Sequence, residues 1–259
     1  MQLIDSHCHL TYEPMFSNLD NVINECKKND ITHLLSISTN LDSAKKSIVI
    51  ANSYENIYTS LGLHPCEVKN SFNDLDKIFS LLNTSKKIIA IGEVGLDYYR
   101  YKDNRNQQIE VFKKQINFAT KNNLPIIVHT REANDDMLSI IDSTLRTKSC
   151  KFLIHCFSEN SDFCKKLLDL GCFVSFSGIV TFKNALEIKK SAMLTPLDRM
   201  LVETDSPYLS PEPLRGKVNS PLNVKYVAQY ISKLKNINLD EFSEQTSINF
   251  KNFFNICDD

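Results

Sequence analysis

The chain has 259 residues, and its 30 Lys and Arg nearly cancel its 31 Asp and Glu, leaving a formal charge of −1. That balance excludes a whole-molecule basic field as the means of holding a polyanion, so any such partner has to be gripped by local features. The length is close to the roughly 250 residues of one eight-stranded α/β barrel, which predicts a single domain over residues 1–259.

No stretch approaches the roughly 18 apolar residues of a membrane-spanning helix, and the eight Cys contain no C-x-x-C pair. The segment Ile4-Asp5-Ser6-His7-Cys8-His9 is polar and has no apolar run ahead of it, so no secretory leader and no membrane partner are expected. A cytoplasmic chain with reduced thiols is expected instead.

Eight short β-rich apolar runs follow in chain order, at 3–6, 33–38, 57–62, 88–92, 125–129, 151–155, 172–175 and 200–204. Segments of helical period lie between them. In 106–121, Ile109, Phe112, Ile116 and Ala119 fall on one face, with Gln108, Lys113 and Lys114 on another. After the sixth run, Ser161 and Asp162 are expected to cap a helix carrying Phe163, Leu167 and Leu170, and Gly171 stands where a left-handed terminus belongs. This alternation predicts a parallel sheet covered by helices, and eight repeats predict a (β/α)8 TIM barrel. Two connections exceed what a connector needs: 95–102 after the fourth strand, and 206–220 after the eighth, stiffened by Pro207, Pro211 and Pro213. Loops of that length in a compact domain are usually functional or disordered, and the proline and tyrosine content favours function.

The chemistry-bearing residues sit at the strand ends. His7 and His9 are one residue apart, so in extended backbone both rings project to one side while Cys8 points to the other. Glu93 ends the fourth strand as a carboxylate able to bridge two cations. His129 and His155 repeat one design, an apolar strand finishing in an imidazole. Asp205, just past the last strand, is placed to bind metal and to take a proton from water, while Glu203 reads as a group that orients another ligand.

Each of these residues is also compatible with an ordinary core or capping role. Six such residues on five strands, all at the C-terminal rim, are not readily a coincidence. Nitrogen and carboxylate donors without a thiolate suit a divalent ion of the Zn, Mn, Fe, Co or, with retained waters, Mg type. His64 at the end of the third strand, Arg131, Arg215 and Lys217 are candidate substrate contacts, and Tyr98, Tyr99 and Phe157 are candidate stacking surfaces. Glu203 is grouped with them. His33, read as the first residue of its strand, falls at the opposite rim and receives no role.

The motifs D-S-H-C-H (Asp5 to His9), G-E-V-G-L-D-Y-Y (Gly92 to Tyr99), V-H-T-R (Val128 to Arg131), H-C-F (His155 to Phe157) and E-T-D-S-P-Y (Glu203 to Tyr208) resemble, in order, those of the TatD-type metal-dependent deoxyribonucleases of the amidohydrolase-like superfamily. The segment from Ser175 to Phe182 is similar to the YcfH-like subgroup. The resemblance spans nearly the whole chain. It implies that His7, His9 and Asp205 hold one metal, that His129 and His155 hold the second, and that Glu93 bridges them. It also implies hydrolysis of DNA phosphodiesters, in some members as a 3′ to 5′ exonuclease, with Asp205 and Glu93 as catalytic groups. DNA is then the expected partner, with no obligatory protein partner. Some relatives in the superfamily bridge their metals with a carboxylated lysine; the strand ends here offer no lysine in that place. Two rivals remain: the same binuclear site acting on another ester or amide, such as the ester of a D-aminoacyl-tRNA, and a barrel that binds metal without turnover.

Overall fold

The computed structural model describes residues 2–256. Eight strands run in the order β1-β2-β3-β4-β5-β6-β7-β8, each parallel to the next. They are β1 (Leu3–Cys8), β2 (Ile31–Ser36), β3 (Ile57–Leu61), β4 (Ile88–Asp97), β5 (Ile126–Arg131), β6 (Phe152–Ile154), β7 (Phe173–Phe176) and β8 (Met200–Val202). The helices are α1 (Leu19–Lys28), α2 (Leu41–Ser53), α3 (Val68–Ser71), α4 (Leu75–Ser80), α5 (Arg105–Lys121), α6 (Asn134–Leu145), α7 (Ser161–Asp169), α8 (Leu186–Leu194), α9 (Val224–Lys235) and α10 (Leu239–Phe254). The expected (β/α)8 barrel is the architecture observed, with helices between the strands.

Closure between the first and last strands is made at one level. Cys8 bridges Ser206, the Asp205 N–H donates to the His7 carbonyl at 2.9 Å, and the His9 N–H donates to the Ser206 carbonyl at 2.8 Å. Below that level the buried carboxyl of Asp5 receives the Thr204 N–H at 2.9 Å and lies 2.6 Å from the Thr204 hydroxyl. Side chains from six of the strands, Ile4, Leu35, Ile89, Ile127, Leu153 and Leu201, pack with Phe250, Phe253 and Phe254 of α10. That helix crosses the N-terminal ends of the strands, where Ser247 bonds to the Gln2 carbonyl and Lys151 to the carbonyls of Asn252 and Phe253. The barrel is thus stoppered at the bottom and open only at the C-terminal crown.

Several local expectations are corrected. Strand β2 begins at Ile31, so His33 lies inside it, beside Ile4 of β1, with its ring stacked on Tyr58. The helix α7 is capped by Asn160, not by Ser161 or Asp162: only Asn160 has the extended backbone of a cap, and its side chain accepts the Phe163 N–H at 2.9 Å. Gly171 does adopt the left-handed conformation, at φ +81°. Gln108, placed on a solvated face by helical period, is fully buried. The segment 206–220 is irregular as expected, and it is fastened by Asn219, whose amide donates to the carbonyls of Thr204 and Tyr208.

The largest correction is β4, which continues five residues past Gly92. Its extension pairs Gly95 with His129, Leu96 with Thr130 and Asp97 with Arg131, so the loop expected at 95–102 begins only after Asp97. Glycine makes this possible. Gly95 has φ +146°, and a Cβ there would lie 1.9 Å from the His129 carbonyl oxygen. Gly95→Ala is therefore expected to destabilise the chain by on the order of 3 kcal/mol or more in urea denaturation. A loss of less than about 1 kcal/mol would show that this approach is not a constraint.

Candidate metal centre

The strand ends deliver their polar groups to one point, the carboxyl of Glu93, which is 3% exposed. Its two oxygens face different partners. Oε2 lies 3.4 Å from His7 Nε2 and 3.9 Å from His9 Nε2, and those two nitrogens lie 3.6 and 3.3 Å from Asp205 Oδ1. Oε1 lies 2.7 Å from His155 Nε2, 2.9 Å from His129 Nδ1 and 3.2 Å from His64 Nε2. Three donor groups result, His7–His9–Asp205, His7–Glu93–His155 and His64–Glu93–His129, each with its ligand atoms within 4.8 Å of one another. The backbone at the end of β1 aims His7 and the following His9 inward, and Cys8 turns away to the Leu35 carbonyl. The rings of His7 and His155 stack at 3.9 Å.

Outer contacts orient these rings. Glu203 Oε1 lies 3.2 Å from His155 Nδ1 and accepts the Cys156 N–H at 2.7 Å. Asp97 Oδ2 lies 3.1 Å from His129 Nε2. His64 Nδ1 accepts the Cys66 N–H at 3.1 Å, so in the neutral ring Nε2 carries the proton and points a hydrogen-bond donor at the centre. By that chemistry His64 offers the site a proton-bearing nitrogen, whereas the other four imidazoles can offer an electron pair.

The electrostatics follow from burial opposed by pairing. Burial pushes the Glu93 carboxyl up, but the nearby His155 and His64 and the hydrogen bonds of His129 and His155 outweigh it and hold the group well below the usual range. Burial likewise raises Asp205, and His9 and His7 more than offset it. Burial favours neutral His155, yet Glu93 and Glu203 hold it well above the ordinary histidine value; Asp97 and Glu93 do the same, less strongly, for His129. Burial and the neighbouring His155 push His7 down, and burial pushes His64 down. Asp97 is raised by burial but held at about 2 by His129 and the Arg100 N–H.

A cation fits what these residues leave unsatisfied. Both ring nitrogens of His7 and the Nδ1 of His9 are buried without a hydrogen-bond partner, a cost that ligation at the centre-facing His7 Nε2 would relieve. The donor set is nitrogen and carboxylate oxygen, suited to Zn, Mn, Fe, Co or Mg.

A cavity of about 760 Å³ opens above the centre, its wall including His64, Tyr99 and Arg131 among the expected substrate contacts. Tyr99 is 55% exposed, with the Arg131 guanidinium 3.8 Å above its ring. The other expected contacts do not reach the cavity. Phe157 is buried against Phe163 and Phe176, because the turn after His155 folds its ring into the helical layer. Glu203 is fully buried, spent on His155 and Cys156. Tyr98 turns outward to Asp136, beneath Arg105. The Arg215 guanidinium lies over the Phe182 ring, and neither it nor Lys217 lines the cavity. Sequence reasoning missed Asp97, Tyr12 and Arg100. Tyr12 stacks on His9 at 5.0 Å and bonds to Thr39, and Arg100 lines the cavity beside Tyr99. For Asp97 a signal existed: it follows Glu93 by four residues, on the same side of the pleat once β4 is known to continue.

The sequence profile described as TatD related DNase matches residues 4–255. The chain belongs to the TatD family. Among the chain's relatives, an uncharacterized metal-dependent hydrolase of Buchnera aphidicola from Acyrthosiphon pisum is 40% identical over 99% of this chain and all of that one. YcfH of Escherichia coli K12, with the same description, is 39% identical over 99% of this chain and 97% of its own length. The crystal structure of the Escherichia coli TatD homologue YjjV superposes with a TM-score of 0.92 over 98% of each chain at 23% identity, and a TatD-family hydrolase from Entamoeba histolytica with 0.88 over 98% of each at 25%. The chain is thus a TatD-family metal-dependent hydrolase. Among the described residues no helix is long and apolar enough to cross a membrane.

Because His155 and His129 hold protons more tightly than ordinary histidines in the metal-free chain, a cation must displace them. The sign is fixed: metal affinity should rise as pH climbs from about 6.5, the usual histidine value, through the raised values. Calorimetric titration with Zn²⁺ in buffers of different ionisation enthalpy is expected to show at least about one proton released near neutral pH. Affinity that is flat between about pH 6 and about pH 9, with no proton release, would refute the assignment.

Proposed function

We propose that this cytoplasmic chain, acting as one domain, is a two-metal phosphodiesterase that hydrolyses DNA from an exposed end, in the manner of a 3′ to 5′ exonuclease. The observation that carries this reading is the Glu93 carboxylate, whose two oxygens address two separate donor sets. His7, His9 and Asp205 would hold one cation and His129 and His155 the other, with Glu93 between them. Two divalent cations, when bound, neutralise charge on a scissile phosphate and acidify water. Phosphate-ester hydrolysis is slow enough to need on the order of 20 kcal/mol of transition-state stabilisation, beyond the reach of a lone base.

The protein's own groups supply the rest. Asp205, kept ionised and 14% exposed at its side chain, accepts the proton of the attacking water through its free oxygen. His64 donates its Nε2–H to a phosphate oxygen. Arg131, held flat against Tyr99, pairs with a flanking phosphate while the exposed ring of Tyr99 offers a stacking face to a base. The cationic groups at the mouth are few, which agrees with a chain whose net charge is −1.

The alternative keeps the centre and changes the bond, to an ester such as that of a D-aminoacyl-tRNA. The family description favours the phosphodiester. The organophosphorus hydrolase and β-aspartyl dipeptidase structures that also superpose, with TM-scores of 0.67 and 0.66 at 15% identity, speak to the fold alone.

Purified protein, loaded with Mg²⁺ or Mn²⁺, is expected to shorten end-labelled DNA. Asp205→Asn should lose roughly 10² to 10⁴ of that activity while remaining folded, and His129→Ala should lose it together with metal. Near-parental activity of Asp205→Asn would remove Asp205 from its role. Turnover of aminoacyl-tRNA with none of DNA would establish the alternative, and bound metal without turnover of either substrate would leave a binding protein.

A further inference from the structure

Glu93 occupies one nitrogen of the His129 ring, and Asp97 occupies the other, its Oδ2 lying 3.1 Å from Nε2. Asp97 stands outside all three donor groups of the centre, and its side chain is wholly buried. Its position is determined from three directions. Oδ1 accepts the Arg100 N–H at 2.8 Å. The backbone on either side of its Cα is gripped by one side chain, that of Gln108 on α5: Oε1 receives the Asp97 N–H at 2.8 Å, and Nε2 donates to the Asp97 carbonyl at 3.1 Å. Gln108 is itself fully buried, so water does not compete for these bonds.

A neutral imidazole has two tautomers, and the one present is set by what the nitrogen remote from the site can bond to. We propose that Asp97, held in place by Gln108, is a positioning residue that selects the His129 tautomer: it accepts Nε2–H and leaves Nδ1 as the electron-pair donor facing Glu93. This rests on the binuclear reading above. It adds that a helix on the outside of the barrel determines the chemistry of a ligand inside it. Outer-shell acceptors of this type also raise the basicity of the imidazole, and losing one typically weakens metal binding by roughly 10- to 100-fold.

Asparagine at 97 has one acceptor oxygen and cannot serve both the Arg100 N–H and His129 Nε2–H. In calorimetric titrations of the metal-free protein with Zn²⁺, Asp97→Asn is expected to bind roughly 10- to 100-fold more weakly than the parent. Gln108→Ala should weaken binding in the same direction, and the double variant should be no weaker than Asp97→Asn alone, because Gln108 acts through Asp97. Independently of any variant, ¹⁵N-histidine correlation spectra of the zinc-loaded parent, with the rings assigned through backbone connectivities, should show His129 protonated at Nε2 and ligated through Nδ1. Ligation through Nε2 in the parent, or parental zinc affinity in Asp97→Asn, overturns the proposal. A parent that binds no zinc at all overturns the binuclear reading instead.

Discussion

One carboxylate organises the crown of this barrel. Glu93 is buried, and five imidazole nitrogens lie within 3.9 Å of its oxygens. A buried anion costs several kcal/mol unless its surroundings compensate, and the compensation here requires β1, β3, β5 and β6 all to end at the same height around β4. Movement of any one strand by a residue would turn its histidine to the other face. The centre therefore depends on register as much as on residue type.

Register is secured at two places. At the seam between the first and last strands, the Asp5 carboxyl and the backbone of Thr204, Asp205 and Ser206 join the chain's beginning to its last strand, bringing His7 and His9 against Asp205. On the opposite side, α5 acts as a brace. Gln108 and Gln115 are seven residues apart and so share one face of the helix. Gln108 brackets Asp97, and Gln115 brackets Leu63 in the same way, its Oε1 accepting the Leu63 N–H and its Nε2 donating to the Leu63 carbonyl. The residue after Leu63 is His64. Two buried amides thus fix the ends of β3 and β4, where the strand ladders run out and backbone groups would otherwise go unpaired.

The opposite end of the barrel has a different task. There α10 places three phenylalanines under the side chains of the strands, and apolar burial joins the bonds of Ser247, Asn249 and Lys151 in holding the parts together. Stability is concentrated at the stoppered end and chemistry at the open one. This separation lets a polar, partly unsatisfied cluster persist in a small fold.

Much of this was legible along the chain. Apolar runs at a steady spacing, five of them finishing beside a His, Glu or Asp, were enough to predict the barrel and the six residues that converge, because a parallel barrel brings every strand's C-terminal end to one rim. What stayed hidden were matters of facing and extent. Periodicity put Gln108 on a solvated surface, since a helix's own pattern carries no trace of a strand end in need of two hydrogen bonds. Gly95 suggested a loop, whereas packing against the His129 carbonyl made it the residue that lets β4 go on, and Asp97 with it. Phe157 and Tyr98 lie within two residues of site residues in sequence but turn into the packing, because the backbone turns just after His155 and just after Asp97. The sequence by itself determined the fold and the identity of the converging donors, through a period and a set of side-chain chemistries. Only the tertiary structure decided which nitrogen of each ring faces Glu93 and which neighbours hold it there, since those choices depend on contacts between residues far apart in the chain.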